Sequence, residues 1–203
     1  MLGSAFNPPH LGHLVLAQEA FVQLGLAEVL LIPTGRAPHK RIEADPGVEV
    51  RVEMTRLAVE GDDRLAVSEL ETDRDEVSYS YRTLELLREQ RPGAEPVWIM
   101  GADAAVELGS WRRPKRVLEL AKLGVVERGG KGRSEVDRAL DELDAGGRAE
   151  FVDMPAIEVS STMVRERAAD GRPVRYLVPD AVAGLIEERD LYPRVGAGRS
   201  GTA

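Results

Sequence analysis

The sequence predicts an α/β fold, an open parallel sheet with helices on both faces. Three observations carry this. Short runs of strand length, at 29–32, 97–100 and 123–126, are apolar throughout rather than alternating, the pattern of strands buried on both faces of a parallel sheet. Helical patterns and short turns alternate with these runs, as βα units require. At 203 residues the chain can bury one sizeable core, so the expectation is one domain over 1–193 with a small helical extension at about 160–193.

Each element has its own signal. Only Met1 and Leu2 precede Gly3, whereas a buried central strand ordinarily runs about five or six residues. Either the first strand is unusually short or the sequence begins inside it; the second is favoured, because a truncated central strand costs stability without helping chemistry. Leu14, Ala17, Phe21 and Leu24 share one face of a helix over 12–24, and Gly25 suits its C-terminal cap. The strand at 29–32 ends at Pro33. Asp45-Pro46 predicts a cap and helix start there. Leu65 to Val67 reads as a short strand. Ser78 is placed to cap a helix through Leu84, Leu86 and Leu87 that stops before Pro92. Strands follow at 97–100, ending at Gly101, and at 123–126. A polar helix through Ala139, Leu140 and Leu143 precedes a strand at Phe151-Val152, and Ser160 opens a late helix. Residues 194–203, glycine-rich with Val195 the main apolar side chain, are expected to be a disordered tail.

Composition narrows the function classes. Lys+Arg 27 against Asp+Glu 35 gives a net charge of -8, which argues against nucleic acid as the main partner. Phosphate ligands would need local basic clusters, and these occur at Arg36, His39, Lys40 and Arg41, at 112–116, and at Arg165, Arg167, Arg172 and Arg175. The acidic runs 69–76 and 135–144 read as solvated faces. Cysteine is absent, which excludes disulfides, thiolate metal sites and cysteine nucleophiles. With no signal peptide and no apolar run of membrane-spanning length, the expectation is a cytoplasmic enzyme that engages no membrane; a homo-oligomer stays open.

The most informative stretch is Gly3-Ser4-Ala5-Phe6-Asn7-Pro8-Pro9-His10-Leu11-Gly12-His13. Two of the three histidines stand here, where a proline-stiffened loop enters a helix. The unsatisfied N–H groups and positive dipole end of a first helical turn favour an anion, and Gly12 is expected to let a ligand approach the backbone. Ser160-Ser161-Thr162 at the start of the late helix can donate to phosphate oxygens, with Arg165 on the same helix face. All these stretches follow strands, where ligands of open α/β sheets bind.

The opening stretch resembles the G-G-T-F-D-P-x-H-x-G-H motif of nucleotidyltransferases, matching at Phe6, Pro8, His10, Gly12 and His13 and departing at Ser4, Ala5 and Asn7. Val159 to Arg165 resembles the I-S-S-T-x-I-R motif of the same superfamily. Three further stretches resemble bacterial nicotinate-nucleotide adenylyltransferases: Pro33 to Lys40 their P-x-x-x-P-H-K loop, Ser78 to Leu84 their S-Y-T-x-x-T-L segment, and Ile99 to Asp103 with Trp111 their I-x-G-A-D…W. The likeness runs from Gly3 to about Tyr192.

It implies a Rossmann-like sheet of nucleotidyltransferase type and AMP transfer from ATP, as co-substrate with Mg²⁺, to nicotinate mononucleotide in NAD biosynthesis. His10, His13, Lys40 and Arg165 would hold the triphosphate and neutralise the leaving group. Ser4, Ala5, Phe6, Gly12, Gly101, Ser160, Ser161 and Thr162 would line the nucleotide site, and Asp103 would accept from the adenosine ribose. Trp111 would face the pyridine ring, with Ser80 and Arg112 near its carboxylate. Ala5 lacks the hydroxyl of the family pattern, so Ser4 or a backbone N–H has to serve the phosphate instead. Pantetheine-phosphate adenylyltransferase, on the same fold, and a non-catalytic nucleotide sensor remain as alternatives; the Trp111 loop and the added length disfavour the former.

Overall fold

The structure, a computed structural model, describes residues 1–37, 42–74, 76–127 and 132–193. Six strands, β1 (Leu2–Ser4), β2 (Val29–Pro33), β3 (Leu65–Val67), β4 (Val97–Gly101), β5 (Lys122–Glu127) and β6 (Ala149–Asp153), form one parallel sheet in the order β3-β2-β1-β4-β5-β6. The expected α/β architecture is therefore present. The chain builds outward from β1 to β3, then crosses to β4 on the other side of β1. That switch leaves a crevice beyond the carboxyl ends of β1 and β4.

The apolar runs are continuous because each strand serves two cores. Leu30 and Ile32 of β2 join Leu123 and Val125 of β5 against α3 (Ser80–Gln90), α5 (Pro114–Leu120) and α6 (Arg133–Asp141). Val29, Leu31, Ile99 and Val126 turn the other way, onto Ala17 and Ala20 of α1 (Leu11–Gln23). A third cluster joins Met54 and Ala58 of α2 (Val48–Val59) to Val164 of α7 (Ser161–Ala169) and to Val182, Leu185 and Ile186 of α8 (Asp180–Glu188). Between β4 and α5 lie a short helix, α4 (Ala102–Val106), and a 3₁₀ turn, Glu107–Ser110.

β1 is three residues long, yet its ladder reaches residue 1. The Met1 carbonyl accepts from the Ile99 N–H at 2.8 Å, and its amino group donates to the Val97 carbonyl at 2.7 Å. Burial pushes that amino group down to about 5, partly opposed by Glu28.

Two helix starts differ from expectation. α2 begins at Val48 because Gly47 adopts φ 102°, and Asp45 Oδ1, the expected cap, accepts from the Gly47 N–H instead. α3 has Tyr79, not Ser78, as its N-cap, because the Ser78 hydroxyl is engaged by another loop described below. The tail at 194–203 lies outside the described residues.

The last described turn reaches back to the first loop. Buried Tyr192 donates to Asn7 Oδ1 at 2.8 Å, and burial pushes its phenol up, keeping it a donor. Tyr192→Phe would leave that buried oxygen without this donor, a loss of about 2 kcal/mol. For a chain of this size the expected fall in Tm is about 4–8 °C, read by thermal denaturation. An unchanged Tm would show that the contact contributes nothing.

Candidate active site

The β1–α1 loop builds the centre of the crevice. Phe6 takes φ 47°, uncommon for a residue with a side chain, and its ring meets His13 edge-on at 5.0 Å. His10 is the N-cap of α1, and its N–H donates to His13 Nδ1 at 3.2 Å. An Nδ1 that accepts leaves the proton of neutral His13 on Nε2, where it faces Ser4 Oγ at 3.3 Å. The His10 and His13 rings lie 3.8 Å apart between centroids. A Cβ on Gly12 would stand 3.0 Å from the His10 ring, so this glycine makes room for the imidazole.

The second motif closes on the first. Ser160 caps α7 through the Met163 N–H, as its position predicts. Ser161 Oγ donates to the Pro8 carbonyl at 2.8 Å, so in this arrangement its one proton is spent on the loop. Arg165 donates to the Asn7 carbonyl at 2.9 Å and to Thr162 Oγ1 at 3.3 Å, and lies 3.6 Å from Glu43. Asn7 in turn donates to the Glu43 carbonyl. The two motifs, distant in sequence, thus form one wall.

Two adjoining cavities open beside it. One, of about 310 Å³, is lined by Ala5, Asn7, Thr34, Ser161, Thr162 and Arg165. The other, of about 510 Å³, has Ser4 and His13 at one end and Ser80, Gly101, Trp111 and Arg112 among its other walls. Thr34 and Ala37 border both. A larger groove, of about 650 Å³, lies among the residues of α7, α8 and their connection and contains no residue of these motifs.

The second cavity is braced by a side-chain network. Ser78 Oγ accepts from the N–H groups of Gly35 and Arg36 at 3.2 and 3.3 Å, which leaves its own proton for Glu71. Thr83 Oγ1 also donates to Glu71, at 2.7 Å. Burial pushes the Glu71 carboxyl up, against these hydrogen bonds. A Cβ on Gly35 would sit 2.1 Å from the Glu71 carbonyl oxygen, a backbone atom that cannot swing aside. Gly35→Ala is therefore expected to cost about 1–3 kcal/mol of stability and to raise KM for the substrate that fills this cavity. Wild-type Tm and KM in this variant would exclude the close packing of the two loops.

The comparisons with known proteins fit this wall of motifs. A protein of Exiguobacterium sibiricum named "Probable nicotinate-nucleotide adenylyltransferase" is 39% identical over 192 residues, covering 95% of this chain and 97% of that one. One of the same name from Roseiflexus sp. is 41% identical over 198 residues, covering 95% and 96%. The chain belongs to the nicotinate-nucleotide adenylyltransferase family. The broader Cytidylyltransferase-like family matches residues 1–167. Among solved structures, the Plasmodium falciparum nicotinic acid mononucleotide adenylyltransferase complexed with NaAD superposes with a TM-score of 0.75 at 16% identity, over 94% of this chain and 95% of that one, a likeness of fold.

In this member of the adenylyltransferase family the motif residues divide by position. Ser4, His13, Ser80, Gly101, Trp111 and Arg112 border one cavity, and Ala5, Ser161, Thr162 and Arg165 the other. Phe6, His10 and Gly12 are buried behind them. Asp103, in the first turn of α4, is exposed and borders neither, as does Ser160. Lys40 and His39 lie outside the described residues. Much of the expected basic clustering is spent on surface ion pairs: Lys115 with Asp144, Arg116 with Glu85 and Glu119, Arg172 with Asp170, Arg175 with Asp180.

Three residues that brace the site belong to none of the motifs. Glu71, within the run 69–76 expected to be a solvated face, turns inward to Thr83 and Ser78. Tyr192 reaches Asn7 from the far end of the chain. Arg51 is 1% exposed, and its spacing to Met54, Thr55 and Ala58 on the buried stripe of α2 was the legible signal. Among the described residues no group of three or more His, Cys, Asp or Glu could hold a metal, and no helix is long and apolar enough to cross a membrane.

Proposed function

We propose that the chain transfers AMP from ATP to nicotinate mononucleotide, giving nicotinate adenine dinucleotide and pyrophosphate, a step of NAD biosynthesis. The observation that carries this reading is that His13 and the Arg165–Thr162 pair line two cavities that share Thr34 and Ala37, one of them walled by Trp111, Ser80 and Arg112.

A phosphate oxygen of the mononucleotide attacks the α-phosphorus of ATP, and the bond to the β,γ-pyrophosphate breaks. That oxygen is already ionised near neutral pH, so no general base is needed. Positioning and charge stabilisation then carry the catalysis. His13 Nε2–H and Arg165 meet the charge that develops on the leaving group, with His10 and Lys40 assigned to the same triphosphate. The imidazole, hydroxyl, amide and guanidinium donors here suit phosphate oxygens, and the carboxylates that border the two cavities are engaged by protein groups, Glu43 by Arg165 and Glu71 by Ser78 and Thr83. Mg²⁺ would arrive on the triphosphate as part of the co-substrate and would supply charge neutralisation there. Trp111 presents its ring to the pyridine, and Ser80 and Arg112 meet the carboxylate. Asp103 is assigned to the ribose.

The test is pyrophosphate release from ATP and Mg²⁺ with nicotinate mononucleotide, and separately with 4′-phosphopantetheine. Turnover with the first alone is the expected result. Turnover with the second instead moves the chain to pantetheine-phosphate adenylyltransferase, and nucleotide binding without turnover makes it a sensor.

A further inference from the structure

Arg51 sits in the first turn of α2, buried, and every branch of its guanidinium is engaged. Nε donates to Asp45 Oδ1 at 2.9 Å. Nη1 donates to the carbonyls of Ala5 at 2.9 Å and Thr34 at 2.7 Å, and Nη2 reaches the Gly35 carbonyl at 3.5 Å. One carboxylate and three carbonyls from two strand-end loops hold this charge. A buried charge disfavours folding unless such partners compensate it, and an apolar residue of similar volume would fill the space without that demand. Packing alone does not explain an arginine here.

The peptide geometry supplies a reason. In a trans peptide the C=O and N–H point in opposite directions. The Thr34–Gly35 peptide shows the effect: its carbonyl goes to Arg51, and its N–H goes the other way, to Ser78 Oγ. The Ala5–Phe6 peptide is also trans, since among the described residues only Asn7–Pro8 is cis. With the Ala5 carbonyl on Arg51, the Phe6 N–H is turned away from α2. Among the described residues it finds no acceptor, although Phe6 is fully buried. Its neighbours Ala5 and Asn7 line the cavity that Thr162 and Arg165 also line. Its left-handed φ of 47° is a strained conformation of the kind held at functional sites.

We propose that Arg51 is a positioning residue for the adenylyl transfer inferred above, aiming the Phe6 amide at a phosphate oxygen and locking that peptide to the Thr34–Gly35 loop of the acceptor side. This supplies the backbone donor that a chain with Ala5 in place of a hydroxyl residue needs.

The test uses the full chain labelled with ¹⁵N-phenylalanine, which reports only Phe6, Phe21 and Phe151. Titration with α,β-methylene ATP and Mg²⁺ should move the Phe6 resonance downfield, with Phe21 and Phe151 nearly still. In Arg51→Lys and Arg51→Met that movement should be lost or halved, and kcat should fall about ten- to a hundredfold. KM for nicotinate mononucleotide should change little, because Ser78 still holds the acceptor loop. Asp45→Asn, at a partly exposed carboxylate, serves where Arg51→Met does not fold and should have the same effects, smaller.

Wild-type kcat in folded Arg51→Lys overturns the proposal. So does a Phe6 resonance that responds equally in wild type and variants, even with kcat reduced, since that marks a structural role only. A wild-type chain without pyrophosphate release sinks the assigned reaction, and the Phe6 titration still decides the role of Arg51.

Discussion

Replacing His13 by alanine is expected to lower kcat about a hundred- to a thousandfold, since one preorganised donor to developing charge is worth roughly 3–4 kcal/mol. The geometry makes His13 the sharper of the two histidine tests. Its Nδ1 is committed to the His10 N–H, so Nε2–H is fixed in tautomer and aimed beside Ser4 at the edge of the cleft. His10 is 6% exposed and packed against that ring, so His10→Ala removes packing together with any phosphate contact. The measurement is kcat under saturating ATP and nicotinate mononucleotide, with circular dichroism to confirm the fold. His13→Gln, which offers an amide N–H in similar space, should recover part of the loss. Near-wild-type turnover in folded His13→Ala would remove the imidazole from the mechanism.

What was legible in the sequence followed from whether one segment decides its own fate. The run 29–32 can only be a strand buried on both faces, and it is. Ser160, with Thr162 and Arg165 following, needs no distant partner to cap a helix, and it caps one. Ser78 carries the same local signal and fails, because the N–H groups of Gly35 and Arg36, 42 or more residues away, compete for its oxygen. Asp45 is drawn off by Gly47 and Arg51 in the same way. The wall of the site was readable as motifs, since phosphate chemistry limits the residue types. Its bracing was not, because Glu71 and Tyr192 act through tertiary contacts that no spacing announces, and the spacing of Arg51 places it on the buried stripe of α2 without naming the carbonyls it holds.

Substrate choice is the second large effect expected: the acid nucleotide, nicotinate mononucleotide, should be used at least about a hundredfold better in kcat/KM than its amide, nicotinamide mononucleotide. The two differ only in a carboxylate against a carboxamide, so discrimination rests on what meets that group. At the start of α3, the N–H groups of Ser80 and Tyr81 have no acceptor among the described residues, and the Ser80 hydroxyl stands beside them on the cavity wall. Ser78 is not among these donors, since its proton goes to Glu71. A carboxylate accepts from all three groups and gains from the helix dipole and from Arg112, which borders the same cavity. The amide sets its own N–H donors against them, and two mismatched buried groups at about 1.4 kcal/mol each amount to roughly a hundredfold. Ser80→Ala should narrow the preference while leaving KM for ATP unchanged, and Arg112→Gln should narrow it more at low salt than at high salt. Measuring kcat/KM for both nucleotides at equal ATP and Mg²⁺ decides the matter. Equal or better use of the amide would remove Ser80, Arg112 and the α3 amides from substrate recognition and leave Trp111 without a ring to face in the orientation assigned.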